Sequence, residues 1–326
     1  MFRRIVSSTP SKLYYPRQNH FIRQLRMAST LTLPDSRTLA YSLDVAPKDG
    51  PLVILSNPLC ASFSLWDHVV KILNENGFRT LRYDQPGHGG SSAPKNLDAT
   101  FDSMADDVHH LLESLEIKKV DSWIGVSMGA STGIYFTTKF PNTVSKLAIC
   151  DTIASSPVNA GVEDLFVQRV AAAREAGNLE TTIQGTMERW FGKDWLEKNP
   201  EEAQRVQTLM SKTTVDGFET CCNALSSKTF DLRPLLGKVG EAVDDAVVIV
   251  GQNDANLPEV MADMRTQIDQ GFKATGKEKL ISLFVIRDAG HVCFIDGLKQ
   301  FADTIVAWLT ADQRRHEIEA LKSKKS

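Results

Sequence analysis

The sequence predicts an α/β fold in which a mostly parallel sheet is flanked by helices on both faces. Short apolar runs with the length of strands alternate with amphipathic segments of helical spacing, and this alternation is the pattern of strand–helix–strand units. The 326 residues, 42% of them hydrophobic, suffice for one large core that carries an insertion. No run reaches the roughly 18 apolar residues that a membrane helix needs, so no membrane partner is expected.

Three β-rich runs begin the folded part of the chain: LAYSLDV at 39–45, PLVILSNP at 51–58 and FRTLRYDQPG at 78–87. Between the second and the third, LWDHVVKILNENG has apolar residues at helical spacing and ends at Gly77. Glycine is the residue that most often follows the last turn of a helix. This part of the chain therefore predicts a strand–helix–strand unit.

The same alternation continues to the end of the chain. The segments predicted as helices are 101–115, 127–139, about 258–270 and about 294–310, and those predicted as strands are VDSWIGVS, 144–152, 246–254 and 280–291. Because strands separated by helices pair in parallel, both faces of the sheet should be covered.

Residues 155–240 interrupt this rhythm. Four segments within them have helical periodicity and none has the pattern of a strand: 162–177, 179–192, 200–213 and 215–227. We therefore predict a helical cap at 155–240 over a core formed by 31–154 and 241–312. The charged residues 313–326 are predicted to be a tail.

Charge is distributed unevenly along the chain. The net charge is −3, but residues 1–30 carry six Lys or Arg and no acid, which leaves 31 basic against 40 acidic residues in the remainder. An extension that is rich in Arg and Ser and free of acid is typical of a mitochondrial transit peptide. Alternatively, Met27 starts the protein, and a cytoplasmic protein is then expected. The acidic body argues against a nucleic-acid partner.

The cysteines and histidines do not predict a metal or a cofactor. Five cysteines without C-x-x-C spacing argue against a disulfide framework and a zinc site, and they fit a reducing, intracellular compartment. His109 and His110 are adjacent and cannot share one face of a helix. The complete phosphate-binding pattern G-x-x-x-x-G-K-[ST] is missing from the sequence, since a glutamate follows GFKATGK at 271–277. The chain says nothing about its oligomeric state.

The stretch GVSMG at 125–129 places Ser127 between two glycines. Such a motif is weak evidence alone, but here it follows a predicted strand and precedes a predicted helix. That context is required of a nucleophile elbow, in which a strained turn exposes the serine hydroxyl above the strand ends. We therefore predict that Ser127 is a nucleophile. The alternative is a serine in an ordinary turn.

A serine nucleophile needs a base, and the base needs an orienting acid. Only two of the seven histidines, His88 and His291, lie just past predicted strand ends. His291 follows the last strand and is the preferred base, while a structural hydrogen bond is the role expected of His88. For the acid, Asp254 after the preceding strand is preferred over Asp151.

Acyl transfer also requires donors for the oxyanion. The Met128 amide begins the helix after the serine, where the helix dipole helps. The second donor should follow LVILSNP; since Pro58 has no N–H, it is Leu59 or Cys60, and Leu59 is preferred.

These segments resemble the α/β-hydrolase fold superfamily over about residues 35–310 and are most similar to 3-oxoadipate enol-lactonases. The similarity rests on SNPLCASFSLWD, RYDQPGHGGSSAP, GVSMGASTG, LAICDTIASSP, MERWF, VDGFETCCNAL and AGHVCFID. It implies an α/β-hydrolase sheet with a helical cap inserted after the sixth strand. The functional residues that it implies are Ser127, Asp254 and His291, with the Leu59 and Met128 amides as oxyanion hole.

The sequence departs from these lactonases at RYDQPGHGGS, where Pro86 and Gly90 occupy positions that are often basic. A carboxylate on the substrate would lose a partner there, and Arg189 in the cap is the candidate replacement. Trp190 and Phe191 beside it, with Phe218, are candidates for an apolar lining. Core packing is the alternative for the aromatic residues, and a solvated charge is the alternative for Arg189.

The predicted function is a cofactor-free serine hydrolase of a small lactone or ester, such as 3-oxoadipate enol-lactone. Carbon–carbon hydrolases and perhydrolases share the catalytic residues and remain alternatives, as does a binding protein with low turnover. A haloalkane dehalogenase is not expected, because position 127 would then need to be an aspartate.

Overall fold

A computed structural model describes residues 28–44, 47–277 and 280–311. The predicted transit peptide or alternative start over the first 26 residues, and the predicted tail at 313–326, lie outside these ranges. Within them, no helix has both the length and the apolar character needed to cross a membrane.

An eight-stranded sheet forms the centre of the described chain, in the order β1-β2-β4-β3-β5-β6-β7-β8. The strands are β1 (Ser29–Thr32), β2 (Thr38–Asp44), β3 (Leu52–Ser56), β4 (Arg79–Tyr83), β5 (Val120–Val126), β6 (Val144–Cys150), β7 (Asp245–Gly251) and β8 (Ser282–Ile286). The β1–β2 and β2–β4 pairs are antiparallel, and the other pairs are parallel. The predicted α/β fold with a mostly parallel sheet is confirmed.

Strand β1 was not predicted. Its sequence, STLT, is largely exposed and lacks the apolar alternation of a half-buried strand. Backbone pairing with β2 holds it at the edge of the sheet. Ser29 and Thr30 thus belong to the sheet, although they fall within the predicted extension at 1–30.

The helices flank the sheet and form the segment above it. They are α1 (Asp67–Glu75), α2 (Phe101–Ser114), α3 (Met128–Lys139), α4 (Pro157–Ala160), α5 (Leu165–Ala176), α6 (Glu180–Phe191), α7 (Lys193–Lys198), α8 (Pro200–Met210), α9 (Val215–Ser226), α10 (Arg233–Leu236), α11 (Val239–Ala242), α12 (Leu257–Ala274), α13 (Cys293–Asp296) and α14 (Leu298–Leu309). A turn of 3-10 helix at Phe63–Trp66 precedes α1.

Two hydrophobic cores lie on opposite faces of the sheet. Successive residues of a strand point to opposite faces, so Ile54 of β3 joins the core beneath α2, α3 and α12, while Val53 and Leu55 join the core beneath α1 and α14. All five residues of β3 are buried, as expected for a central parallel strand. The sheet is therefore a rigid base for the loops at its edge.

The segment between β6 and β7 forms the cap. Its four longest helices are α5, α6, α8 and α9, and each coincides with one of the four segments of helical periodicity. Helices α5 and α9 pack together, and Arg174 of α5 pairs with Asp216 of α9 at 2.7 Å and with Glu219. Because the cap follows β6, it lies over the carboxyl edge of the sheet.

Candidate active site

Ser127 lies at the junction between β5 and α3. Its backbone has φ 56° and ψ −119°, a conformation that costs a non-glycine residue about 1–3 kcal/mol. The Ser127 amide donates to the carbonyl of Cys150 at 2.8 Å, which ties the turn to β6. The residue is partly exposed at the end of β5, unlike the buried residues on either side of it.

The two glycines of the motif are required by close packing. A Cβ atom on Gly125 would lie 2.2 Å from the carbonyl oxygen of Gly129, and a Cβ atom on Gly129 would lie 2.2 Å from that of Ser56. Neither distance is compatible with a side chain. The small residues therefore allow α3 to leave the sheet at the sharp angle that presents Ser127.

His291 follows β8 and forms a pair with Asp254, which follows β7. The Nδ1–H group of His291 donates to Oδ2 of Asp254 at 2.7 Å, which leaves Nε2 as the acceptor of the ring. The two side chains are 16% and 9% exposed. Within the described chain Ser127 Oγ has no hydrogen bond to His291; in free enzymes this contact is often long and tightens with substrate.

The histidine loop is held by the cap. The His291 amide donates to the carbonyl of Trp190 at 3.1 Å, and a Cβ atom on Gly290 would lie 1.9 Å from that same oxygen. The Gly290 amide donates to Oδ2 of Asp296 at 2.6 Å, and burial raises the pKa of Asp296 to about 7. The end of α6 thus fixes the backbone that carries the imidazole.

Asp151, the other predicted acid, lies behind Asp254 and does not contact His291. It is fully buried and has φ 45°. Its carboxyl group accepts from the Gly251 amide at 2.7 Å and from the Cys293 thiol at 3.0 Å. The pKa of Asp151 is raised well above its usual range, mainly by burial and secondly by the charge of the neighbouring Asp254.

His88 organises the loop in which Leu59 lies. Its Nε2 atom accepts from the Cys60 amide at 3.0 Å, and its Nδ1–H group donates to the Pro86 carbonyl at 2.9 Å. Burial lowers the pKa of His88 to about 4, so the ring is neutral at pH 7. The Cys60 amide therefore already has an acceptor, and the Leu59 amide is the remaining candidate oxyanion donor of this loop. Met128, the other candidate, is the first residue of α3.

Three cap residues were predicted to contact substrate. Trp190 is 2% exposed and its ring centroid is 5.8 Å from that of His291. Phe191 stacks on Trp195 at 4.5 Å, so its ring also packs within the cap. Arg189 is exposed and, within the described residues, has no hydrogen-bonded carboxylate; desolvation and the nearby Arg169 guanidinium lower its pKa, and the Asp254 charge opposes them.

Arg169 of α5 was missed by the sequence analysis. Burial raises the pKa of the Cys60 thiol, and the positive charges of Arg189 and Arg169 both lower it. Both guanidinium groups therefore lie close enough to the loop of Leu59 and Cys60 to act on it electrostatically. No motif marks Arg169, because it lies on an exposed helix among alanines, and only the packing of α5 beside α6 brings it here.

No group of three or more His, Cys, Asp or Glu side chains in the described ranges is arranged to hold a metal ion.

A mostly parallel sheet with a serine on a strained strand–helix turn, and a hydrogen-bonded histidine–aspartate pair at the same edge of the sheet, is the architecture of the hydrolase class of α/β proteins. The sequence profile of the alpha/beta hydrolase fold matches residues 51–298. The chain belongs to the α/β-hydrolase fold family, and the resemblance stated from its sequence is confirmed.

Relatives within the family include two lactonases of Acinetobacter baylyi. The 3-oxoadipate enol-lactonase 2 is 30% identical over 206 residues, 63% of this chain and 72% of the relative. The 3-oxoadipate enol-lactonase 1 is 29% identical over 275 residues, 83% of this chain and 92% of the relative. The crystal structure of an enol-lactonase from Burkholderia xenovorans, 28% identical, matches with a TM-score of 0.74 over 86% of this chain and 100% of that one.

Proposed function

We propose that the chain is a hydrolase that opens a small lactone, or cleaves a small carboxylic ester, with Ser127 as nucleophile, His291 as base and Asp254 as acid. The observation that carries the proposal is the strained, partly exposed Ser127 at the sheet edge where the His291–Asp254 pair also lies. The similarity to enol-lactonases supports the same reaction class.

In the proposed reaction, Ser127 Oγ attacks the carbonyl carbon while Nε2 of His291 takes its proton. The tetrahedral intermediate collapses, the ring or ester oxygen leaves with that proton, and an acyl-serine remains. Water, deprotonated by His291, then attacks the acyl carbon and releases the carboxylic acid, and the proton returns to Ser127. Asp254 stabilises the imidazolium in both halves of the reaction.

The Leu59 and Met128 amides are the proposed oxyanion donors. The Met128 amide lies at the amino end of α3, where the helix dipole favours negative charge. Because His88 occupies the Cys60 amide, the Leu59 amide is the donor proposed from the other side.

A carboxylate on the substrate is proposed to lie between Arg189 and Arg169. Within the described residues neither guanidinium group has a hydrogen-bonded carboxylate; the Arg169 charge lowers the pKa of Arg189, and a bound anion would neutralise both charges. Trp190, beside His291, is the proposed apolar wall, with Phe191 supporting it from within the cap. The 3-oxoadipate enol-lactone is therefore the first substrate to test.

The nucleophile is tested by labelling with a fluorophosphonate that reacts with activated serines. We expect one labelled peptide, containing Ser127, and no labelling of Ser127→Ala. Ser114→Ala, which removes an exposed serine of α2, is the matched control and should label like wild type. Labelling at another serine, or no labelling of folded wild type, would overturn the assignment.

The substrate class is tested with paired lactones that differ only in a carboxylate. Arg189→Gln and Arg169→Gln should each raise KM for the anionic lactone about 10- to 100-fold, the usual worth of a charge-assisted hydrogen bond, and leave the neutral one unchanged. Lys193→Gln removes an exposed charge from α7 as a control. Equal effects on both substrates would contradict a carboxylate site.

A further inference from the structure

The buried carboxyl group of Asp151 lies behind the proposed triad. Asp151 ends β6 in a left-handed conformation, φ 45°, which turns its side chain toward the end of β7. There Oδ1 accepts from the Gly251 amide at 2.7 Å and Oδ2 accepts from the Cys293 thiol at 3.0 Å. The carboxyl group of Asp254 also lies next to that of Asp151. Two carboxyl groups therefore meet at a fully buried position.

Two adjacent buried carboxyl groups do not both ionise without a cation to compensate them. The ionisable groups around Asp151 are the thiols of Cys150 and Cys293, the carboxyl groups of Asp254 and Asp296, and, beyond Asp254, the His291 imidazole. Within the described residues no lysine or arginine pairs with Asp151. The single negative charge should therefore reside on one of the two aspartates.

The surroundings favour Asp254 as the charged member. Asp254 accepts the Nδ1–H group of His291 and interacts with the positive charge of Arg189. Asp151 has only a backbone amide and a neutral thiol as donors. Burial, and then the Asp254 charge, raise the pKa of Asp151, in agreement with a proton held there at pH 7.

We propose that Asp151 is a protonated carboxylic acid that donates a hydrogen bond to Asp254 and holds that carboxylate toward His291. Asp151 is thus a positioning residue behind the triad, and this inference rests on the proposed function of Asp254. A donor from Asp151 would fix the orientation of the Asp254 carboxylate. It also withdraws negative charge from that carboxylate, which moderates the basicity of His291.

Two substitutions separate this role from simple packing. Asp151→Asn retains a donor toward Asp254 and an acceptor for Gly251, so kcat and the pH profile of kcat/KM should stay within about threefold of wild type. Asp151→Ala removes the donor; kcat should fall about 10- to 100-fold, and the acidic limb of kcat/KM should move to higher pH. Asp254→Asn should lower kcat at least about 1,000-fold, as expected for loss of the orienting acid.

The proton itself is observed by infrared spectroscopy in D2O at pH 7. Wild type minus Asp151→Asn should show the C=O band of a protonated carboxylic acid. Carboxylate bands alone, or a loss in Asp151→Asn as large as that in Asp254→Asn, would overturn the proposal. If Asp151→Asn does not fold, Cys293→Ser provides the second measurement, because a stronger donor on Oδ2 should shift the same band, and an unshifted spectrum would contradict it.

The infrared measurement requires no turnover, whereas fluorophosphonate labelling reports the nucleophile. A carboxylic acid band in a protein that does not label at Ser127 would refute the hydrolase and leave the protonated Asp151 standing. Labelling of Ser127 without the carboxylic acid band would support the hydrolase and refute the protonated Asp151.

Discussion

His88 connects the sequence motif DQPGHGGSS with the geometry of the proposed oxyanion hole. Its neutral ring bridges the Pro86 carbonyl and the Cys60 amide, and Cys60 itself has φ 63°. A protonated ring would turn the acceptor Nε2 into a donor facing the Cys60 N–H. The loop that carries Leu59 therefore depends on an uncharged imidazole.

We expect His88→Ala to lower kcat about 10- to 100-fold with a smaller change in KM, because the Leu59 amide would lose its fixed direction and oxyanion donors act mainly in the transition state. In His88→Gln the side chain can still accept a hydrogen bond from the Cys60 amide, so kcat should fall less than in His88→Ala. Steady-state kinetics on a neutral lactone measure both.

His68→Ala is the control for this prediction, since His68 is a half-exposed histidine of α1 that pairs with Glu202. It should behave like wild type. An His88→Ala enzyme with wild-type kcat would contradict the assigned role of the Cys60–His88 bond.

At the residue level, the structure pairs His291 with Asp254, as the sequence predicted, while the role of Ser127 as nucleophile remains a prediction. Strand ends and chain order indicated Ser127 and His291, since a parallel sheet gathers such loops at one edge. Two aspartates satisfied the same rule, and only the fold shows that Asp254 contacts His291 while Asp151 lies behind it. Arg169 could not be predicted, because its neighbours come from other helices.

Helix α6 is the element that joins the cap to the histidine loop. The Trp190 carbonyl near its end accepts from the His291 amide, and Gly290 provides the space for this contact. Trp190 and Phe191 are both buried in the core shared by the cap and the sheet. The position of the imidazole thus depends on a cap helix as well as on β8.

We expect Gly290→Ala to lower kcat by about 100-fold, because the new Cβ would lie 1.9 Å from a backbone oxygen and a shift of about 1 Å in a catalytic group costs that much. Gly185→Ala in α6 meets nothing within 4 Å and is the matched control; it should keep full activity and gain up to about 1 kcal/mol in stability. Activity assays and thermal unfolding report both. A fully active Gly290→Ala enzyme would show that the cap does not restrain the loop.

Most elements were predictable because their patterns are local. Segments such as 101–115 and 215–227 have a continuous apolar face, and the structure has helices α2 and α9 there. The short helices α4, α10 and α11 have four residues each, too few to show a period. Strand β1 was missed because pairing with β2, rather than its own burial, defines it.

Across the whole molecule, buried ionisable groups oppose one another in their effect on stability. Burial raises the pKa of Asp84 to about 6 and that of Asp296 to about 7, so both contribute stability in mild acid that is lost as pH rises. Burial lowers the pKa of His88 to about 4, so its contribution has the opposite sign. Because the two carboxyl shifts together exceed the histidine shift, these three groups together should lower the free energy of unfolding as pH rises from 4 to 7.

The contribution of His88 can be isolated by comparison with His88→Gln. As pH falls, His88 takes up a proton near pH 6.5 in the unfolded chain but only near pH 4 in the folded chain. The free energy of unfolding of wild type, relative to that of His88→Gln, should therefore rise by up to about 3 kcal/mol from pH 4 to 6.5. Urea unfolding at several pH values measures it. A difference that is independent of pH would mean that the buried ring is not neutral in the folded protein.

The hydrogen bond between the Trp190 carbonyl and the His291 amide limits how this enzyme could be recombined with its relatives. A chimera that takes its cap from a relative would have a different backbone contact to the His291 loop, even if Ser127, Asp254 and His291 of the proposed triad are retained. Donor and host would have to be matched at the backbone near 190 and 290 before their selectivities could be exchanged.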